Sequence, residues 1–161
     1  MSKLATSSWQ HTLKSSIRCS GVGLHTGDKI RMELHPAAAN TGIVFRRSDV
    51  ASTNRDVPAR YDHVGSTNMC TMLVNADGVS VSTVEHLMAA LAGCHVDNAI
   101  VEVDGPELPV MDGSAHPFVF LIECAGVVEQ NSTRPVLEIL NPVKVSAGSS
   151  SAELSPADIF S

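Results

Sequence analysis

The sequence predicts an α+β fold, an antiparallel or mixed sheet with two helices packed on one of its faces. From Lys29 to His35, Ile30, Met32 and Leu34 alternate with Arg31, Glu33 and His35, the two-residue period of a half-buried strand. Val84, Leu87, Met88 and Leu91 recur at three- and four-residue spacing, the apolar stripe of an amphipathic helix. Asn75-Ala76-Asp77-Gly78 separates two short apolar runs, and its Asp-Gly step signals a hairpin.

In chain order, Thr12 to Cys19 reads as a strand that leads into a glycine-punctuated connection, Ser20-Gly21-Val22-Gly23-Leu24-His25-Thr26-Gly27. The alternating strand at Lys29 follows, then a turn cluster from Pro36 to Gly42 and a strand from Ile43 to Arg46. Arg47 to Asn68 is polar and irregular and reads as a loop with extended pieces, before the hairpin of Cys70–Val74 and Val79–Val81. Ser82-Thr83-Val84-Glu85 has the serine and glutamate of a capping box, and Gly93 supplies the stop of the helix it opens. Asp97 to Val103 is the next strand. A second helix is expected from about Ser114, with Pro117 in its first turn, Phe118, Leu121, Ile122 and Ala125 on its buried face, and Gly126 at its end.

The domain boundaries follow from composition. Residues 1–126 form the first α+β domain, the polar stretch 127–134 reads as a linker, and 135–161 opens a second module. Within that module Val136 to Val145, broken by Asn141-Pro142, pairs with Ala152 to Leu154. A strand pair is too little to bury a core of its own, so the second module is expected to be incomplete in this chain.

A chain of 161 residues can bury a core without help from a disulfide or metal. Aromatic residues make up 4% of it, so that core must be aliphatic. With 11 basic residues against 17 acidic ones and no basic run, nothing in the chain tracks a phosphate backbone, which argues against nucleic acid as a partner. Cys19, Cys70, Cys94 and Cys124 form no C-x-x-C pair, and the amino terminus has no apolar signal region, so the expectation is a cytoplasmic protein with reduced thiols. No stretch approaches ~20 consecutive apolar residues, so no transmembrane segment is expected.

Three clusters could carry chemistry. On the first helix, Val84, Leu87, Met88 and Leu91 should face the core, while His86, Ala89, Ala90 and Gly93 should form a small-residue face open to another surface. The plain alternative keeps Glu85 as half of the capping box and His86 as a solvated residue. His25, within the glycine-rich connection, could be aimed into a site, although the connection precedes a strand and fits no nucleotide-binding loop. Asp112 or Ser114 in Met111-Asp112-Gly113-Ser114 could cap the second helix, or its amide terminus could sit near an anion. Cys70 alone reads as a small buried hydrophobe.

Together these segments, with Pro36-Ala37-x-Ala39-Asn40-Thr41-Gly42 and Ala89-Ala90-Leu91-Ala92-Gly93, resemble the first domain of the UDP-3-O-acyl-N-acetylglucosamine deacetylases from about Gln10 to Gly126. The remainder resembles the first strands of that family's second domain. The resemblance implies two similar α+β domains packed face to face around a zinc site that commits UDP-3-O-acyl-N-acetylglucosamine to lipid A synthesis. It implies that His86 is one of three protein zinc ligands and that Glu85 is the general base acting on zinc-bound water. Met69 and Cys70 would line the substrate pocket, with His25 and Asp112 close to the site in less defined roles.

The other two ligands implied, a histidine and an aspartate one helical turn apart, have no counterpart here, because the chain contains no H-x-x-x-D pattern. The expectation is therefore a truncated enzyme, inactive until joined by its missing second domain or another chain. The alternative is a non-catalytic first-domain module that binds a protein partner or a nucleotide sugar.

Overall fold

The computed structural model of the chain describes residues 8–51 and 53–157. Its elements are β1 (Trp9–Leu13), β2 (Ile17–Val22), β3 (Lys29–Pro36), β4 (Ile43–Arg47), β5 (Asp56–Pro58), a 3-10 turn (Tyr61–His63), β6 (Val64–Ser66), β7 (Met72–Val74), β8 (Ser80–Val81), α1 (Glu85–Gly93), β9 (Ala99–Val103), α2 (His116–Ala125), β10 (Val127–Thr133), β11 (Val143–Ala147) and β12 (Ser150–Leu154). The fold is α+β, as expected. Its principal sheet has the order β2-β3-β9-β4-β5. It is mixed, because β4 and β9 run parallel while the other pairs are antiparallel. A parallel pair needs a long crossover, and here that crossover carries α1.

The core follows from one-sided burial. Ile30, Met32 and Leu34 of β3, Phe45 of β4 and Val101 and Val103 of β9 share one cluster with Leu87 and Leu91 of α1 and Phe118 and Ile122 of α2. The opposite sheet face carries a row of charges, Arg18, Glu33, Glu102, Arg46 and Asp56, each directly across from the next. Arg46 closes a two-pronged bond to Asp56 at 2.7 Å on both arms. A one-residue slip would drive this row into the core, so the two faces together fix the register.

The segment expected as one strand from Thr12 to Cys19 is instead two. Lys14 N–H donates to the Gly126 carbonyl (2.9 Å) and Ser15 Oγ to the Ala125 carbonyl (3.0 Å), which bends the chain between β1 and β2. The expected linker is also corrected, since residues 127–133 form β10, antiparallel to β1. Its polar character reflects what it covers. Buried Asn98 donates to Gln10 Oε1 and Gln130 Oε1 (both 2.8 Å) and accepts from Gly42 N–H (2.8 Å). Gln10 in turn donates to Asn40 Oδ1 (2.8 Å) and the Thr133 carbonyl (2.9 Å). Residues 136–142 form no strand, and the hairpin is β11 with β12, turning through Gly148 at φ 59°. Residues 158–161, at the end of the expected second module, lie outside the described residues.

The first helix departs from its predicted start. Ser82 is held in an extended bridge to Glu107, with its N–H on the Pro106 carbonyl (2.9 Å), so it cannot close a capping box with Glu85. Gly93 lies inside α1, and the left-handed residue after the helix is His95 at φ 58°. Val84, Leu87 and Leu91 are buried as expected, and Met88 packs partly against them. Ala90 is a correction. At 1% exposure it belongs to the core, leaving Ala89 and Gly93 as the open small residues beside half-buried His86. In α2 Pro117 occupies the first turn, Ser114 Oγ accepts from His116 N–H (3.1 Å), and Gly126 at φ 74° ends the helix. No helix among the described residues is long and apolar enough to cross a membrane.

Two outcomes are expected in urea unfolding. Asn98→Ala strands several buried partners and should cost about 3 kcal/mol, whereas Gln130→Ala should cost about 1 kcal/mol. Equal losses would show that β10 rather than Asn98 carries the amide network. Ala90→Trp should destabilise by about 3 kcal/mol or more through overpacking, while Ala89→Trp should stay within about 0.5 kcal/mol of the parent. A neutral Ala90→Trp would restore the open-face reading.

Candidate functional site

The turn between β2 and β3 closes on a buried carboxylate. Gly27 adopts φ 73°, and its N–H donates to the Gly23 carbonyl at 3.1 Å. A Cβ at Gly23 would run into Thr26 Oγ1 and Glu107 Oε2, so glycine is what lets the turn approach Glu107. Glu107 is 1% exposed and accepts from His25 N–H (3.1 and 3.2 Å), Thr26 N–H (3.0 Å), Thr26 Oγ1 (3.0 Å) and Thr83 Oγ1 (2.8 Å). Burial pushes this carboxyl up. The Thr26 and His25 amides, followed by the two hydroxyls, outweigh that and hold it below the usual glutamate range.

Thr83 itself stands at φ 59°, an uncommon conformation for a β-branched residue, two residues before the start of α1 at Glu85. At that helix start Glu85 Oε2 accepts from Thr71 N–H at 3.1 Å. The carboxylate that the sequence assigns to a capping box is thus tied to the segment beside Cys70. His86 follows, half-buried, with Nδ1 enclosed and without a hydrogen-bond partner. His11 Nδ1 is in the same condition, but on β1, 3.8 Å from Asp97 Oδ2 and on another part of the fold.

An open cleft of about 340 Å³ is lined in part by His25, Met69, Cys70, Ser82 and Glu107, and neither Glu85 nor His86 belongs to its lining. Met69 takes φ 62° and is 84% exposed at its rim. A larger cleft of about 510 Å³ on the outer sheet face lies among Arg18, Arg31, Glu33, Glu102 and Asp104. Arg31 and Asp104 there are spent on each other at 2.7 Å, and none of the candidate site residues lines it.

The fold therefore gathers His25, Met69 and Cys70 into one cleft and ties Glu85 to Thr71, next to Cys70, with His86 following on α1. Asp112 stands apart from that cleft lining. It is exposed, and it accepts from Ser114 Oγ (2.8 Å) and Ser114 N–H (2.9 Å), bonds that keep its carboxyl below the usual aspartate range. Glu107 and Thr83 escaped the sequence reading. The available signal was a lone carboxylate in Gly105-Pro106-Glu107-Leu108-Pro109, where prolines bar a regular strand and the charge needs local donors.

Among the described residues no three His, Cys, Asp or Glu side chains converge on a possible metal position. His86 offers a single imidazole, and a catalytic zinc takes three protein ligands, so these residues do not by themselves complete a zinc centre.

A carboxylate and an imidazole thus stand at a helix start, and the carboxylate is tied to the segment that brings a thiol to the cleft. Residues 10–161 match the profile of the family described as UDP-3-O-acyl N-acetylglycosamine deacetylase, and the chain belongs to that family. The UDP-3-O-acyl-N-acetylglucosamine deacetylase of Pseudoalteromonas atlantica is 54% identical over 151 residues, 94% of this chain and 49% of that protein. Those of Idiomarina loihiensis and Aliivibrio fischeri are 52% and 50% identical over the same length and coverage. The chain spans about half the length of the curated relatives it matches.

The depressed Glu107 carboxyl makes stability acid-sensitive in a defined direction. Its contribution is complete above the unfolded value of 4.5 and is lost as pH falls below that toward the folded value. Urea midpoints measured from pH 6 down to about pH 3 should fall more steeply for the parent than for Glu107→Gln, which cannot titrate. Parallel curves would remove Glu107 from the acid response.

Proposed function

We propose that the whole protein hydrolyses the N-acetyl group of UDP-3-O-acyl-N-acetylglucosamine, the committed step of lipid A synthesis, and that this chain supplies the first domain and one wall of the site. What supports the reading most is the Glu85–His86 pair, anchored through Thr71 beside a cleft lined by Cys70, Met69 and His25, in a member of this family. In this assignment residues from 135 onward open a second domain, which brings the histidine and aspartate ligands that the described residues lack. The substrate is handled in the cytoplasm.

His86 would hold zinc as one of three protein ligands, and zinc bound there would lower the pKa of its water toward ~7 and polarise the amide carbonyl. Glu85 acts as general base. With Oε2 occupied by the Thr71 amide, Oε1 is the oxygen left to take a proton from the attacking water. The water oxygen bonds to the acetyl carbon, the C–N bond breaks, the nitrogen gains a proton and leaves as the glucosamine amine, and acetate departs. Met69 and Cys70 border the substrate, and His25 lines the same cleft. Asp112, bound to Ser114 outside the cleft lining, keeps only the site-proximal place that the family resemblance implies and is given no step.

Acetate release and zinc content test this together. In the whole protein Glu85→Ala should lower kcat by about 10²–10⁴-fold while zinc is retained, and His86→Ala should lose both zinc and activity. The 161-residue chain alone should hold far less than one zinc after dialysis and release no acetate. Stoichiometric zinc and acetate release by that chain, both abolished in His86→Ala, would overturn the divided ligand set.

A further inference from the structure

We propose that Glu107 is a positioning residue, its buried carboxylate tying the turn that carries His25 to the approach of the helix that carries Glu85 and His86. The cleft then keeps one width. The proposal rests on the deacetylase reading for its consequence in catalysis, but the tie itself stands on geometry alone.

Two stretches of sequence, 23–26 and 83, converge on this one side chain. Oε2 accepts from Thr26 N–H and Thr26 Oγ1, both at 3.0 Å, on the side of the turn. Oε1 accepts from Thr83 Oγ1 at 2.8 Å on the side of the helix, and His25 N–H is shared between the two oxygens. Every donor belongs to the cleft wall or to the helix approach, and none comes from the aliphatic core. A group kept only to fill space there would be apolar, because burying a carboxylate costs several kcal/mol unless donors surround it.

Two local irregularities share the same explanation. Gly23 lacks the Cβ that would block the approach of the turn, and Thr83 occupies φ 59° with its hydroxyl directed at Oε1. Strained residues of this kind persist where the surroundings over-determine them. Backbone pairing already joins Ser82 to the 106–108 segment, through Ser82 N–H on the Pro106 carbonyl and Leu108 N–H on the Ser82 carbonyl (3.0 Å). Backbone also reaches the base of the turn, through a bridge between Gly23 and Pro109 and Val110 N–H on the Val22 carbonyl (2.9 Å), so what the carboxylate adds is its hold on the tip, His25 and Thr26. Without it the tip bearing His25 loses its tie to the helix approach, and a displacement of about 1 Å at a reacting group can cost about 10²-fold in rate.

The test combines kinetics and amide hydrogen exchange on the whole protein. In Glu107→Ala, exchange at His25 and Thr26 should rise at least about tenfold, while Met32 and Val101 in the sheet keep their protection. Its kcat should fall about 10²-fold with KM within about threefold of the parent. Glu107→Gln can still accept from Thr26 with its oxygen and donate to Thr83 Oγ1 with its amide, so it should stay within about tenfold in kcat. Thr83→Val, nearly the same shape, serves if Glu107→Ala does not fold. It severs the helix side only, so kcat should fall while His25 and Thr26 stay protected. Unchanged exchange at His25 and Thr26 in Glu107→Ala, a parental kcat in Thr83→Val, or a Gln variant no better than Ala would each overturn the proposal. A parent protein that releases no acetate would sink the deacetylase reading instead, and the exchange measurement would still decide the tie.

Discussion

The buried face of the central strand β9 sets the geometry of the whole chain. Ala99, Val101 and Val103 lie at 0% exposure against the helices, while Ile100 and Glu102 face outward. At about 25 cal/mol per Å² of apolar surface, an aliphatic layer of this kind outweighs any single polar contact on the molecule. It fixes which residues of β3 and β4 point inward, and so lines up the charges on the other face. It also fixes the roll of α1, because Leu87, Ala90 and Leu91 are all committed to the same layer. Glu85 and His86 are left on the flank of the helix, half-buried and close to the cleft. The chemistry-bearing residues are placed by burial elsewhere.

How far the sequence could be read tracks the range of the forces involved. The strand from Lys29 to Pro36 was legible because one face is buried and the other is wet, which prints a period of two. The stripe of α1 was legible for the same reason at a period near 3.6, except at Ala90. A small residue can sit on a core or a surface face, and the tight packing that buries it leaves no mark in the pattern. Residues 127–133 were illegible as a strand because their partners are Gln10 and Asn98, amides far away in sequence whose pairing has no periodic trace.

At the site, local rules gave misleading answers for a physical reason. Ser82 and Glu85 have the spacing of a capping box, yet a bridge to Glu107 claims the serine and the Thr71 amide claims the glutamate. Met69, Thr83 and Met111, none of them glycine, all take positive φ near the cleft or the loops beside it. Conflicts between local preference and the final backbone tend to gather at functional positions, where tertiary contacts override them. The site roles of Glu85, His86, Met69 and Cys70 came only through family resemblance, and Glu107 carries no motif at all.

The pairing of β1 with β10 has a consequence for synthesis. Arg134 N–H donates to the Ser8 carbonyl at 2.7 Å, so the first and last strands of this unit close on each other across almost the whole of its length. A ribosome adds roughly 5–20 residues each second, so the amino-terminal strand waits on the order of ten seconds for its partner to emerge. During that interval the amides of Gln10 and Asn98 must be satisfied by water, and the edge that β10 will cover stays open to other chains. The nascent unit is most vulnerable just before its last strand arrives.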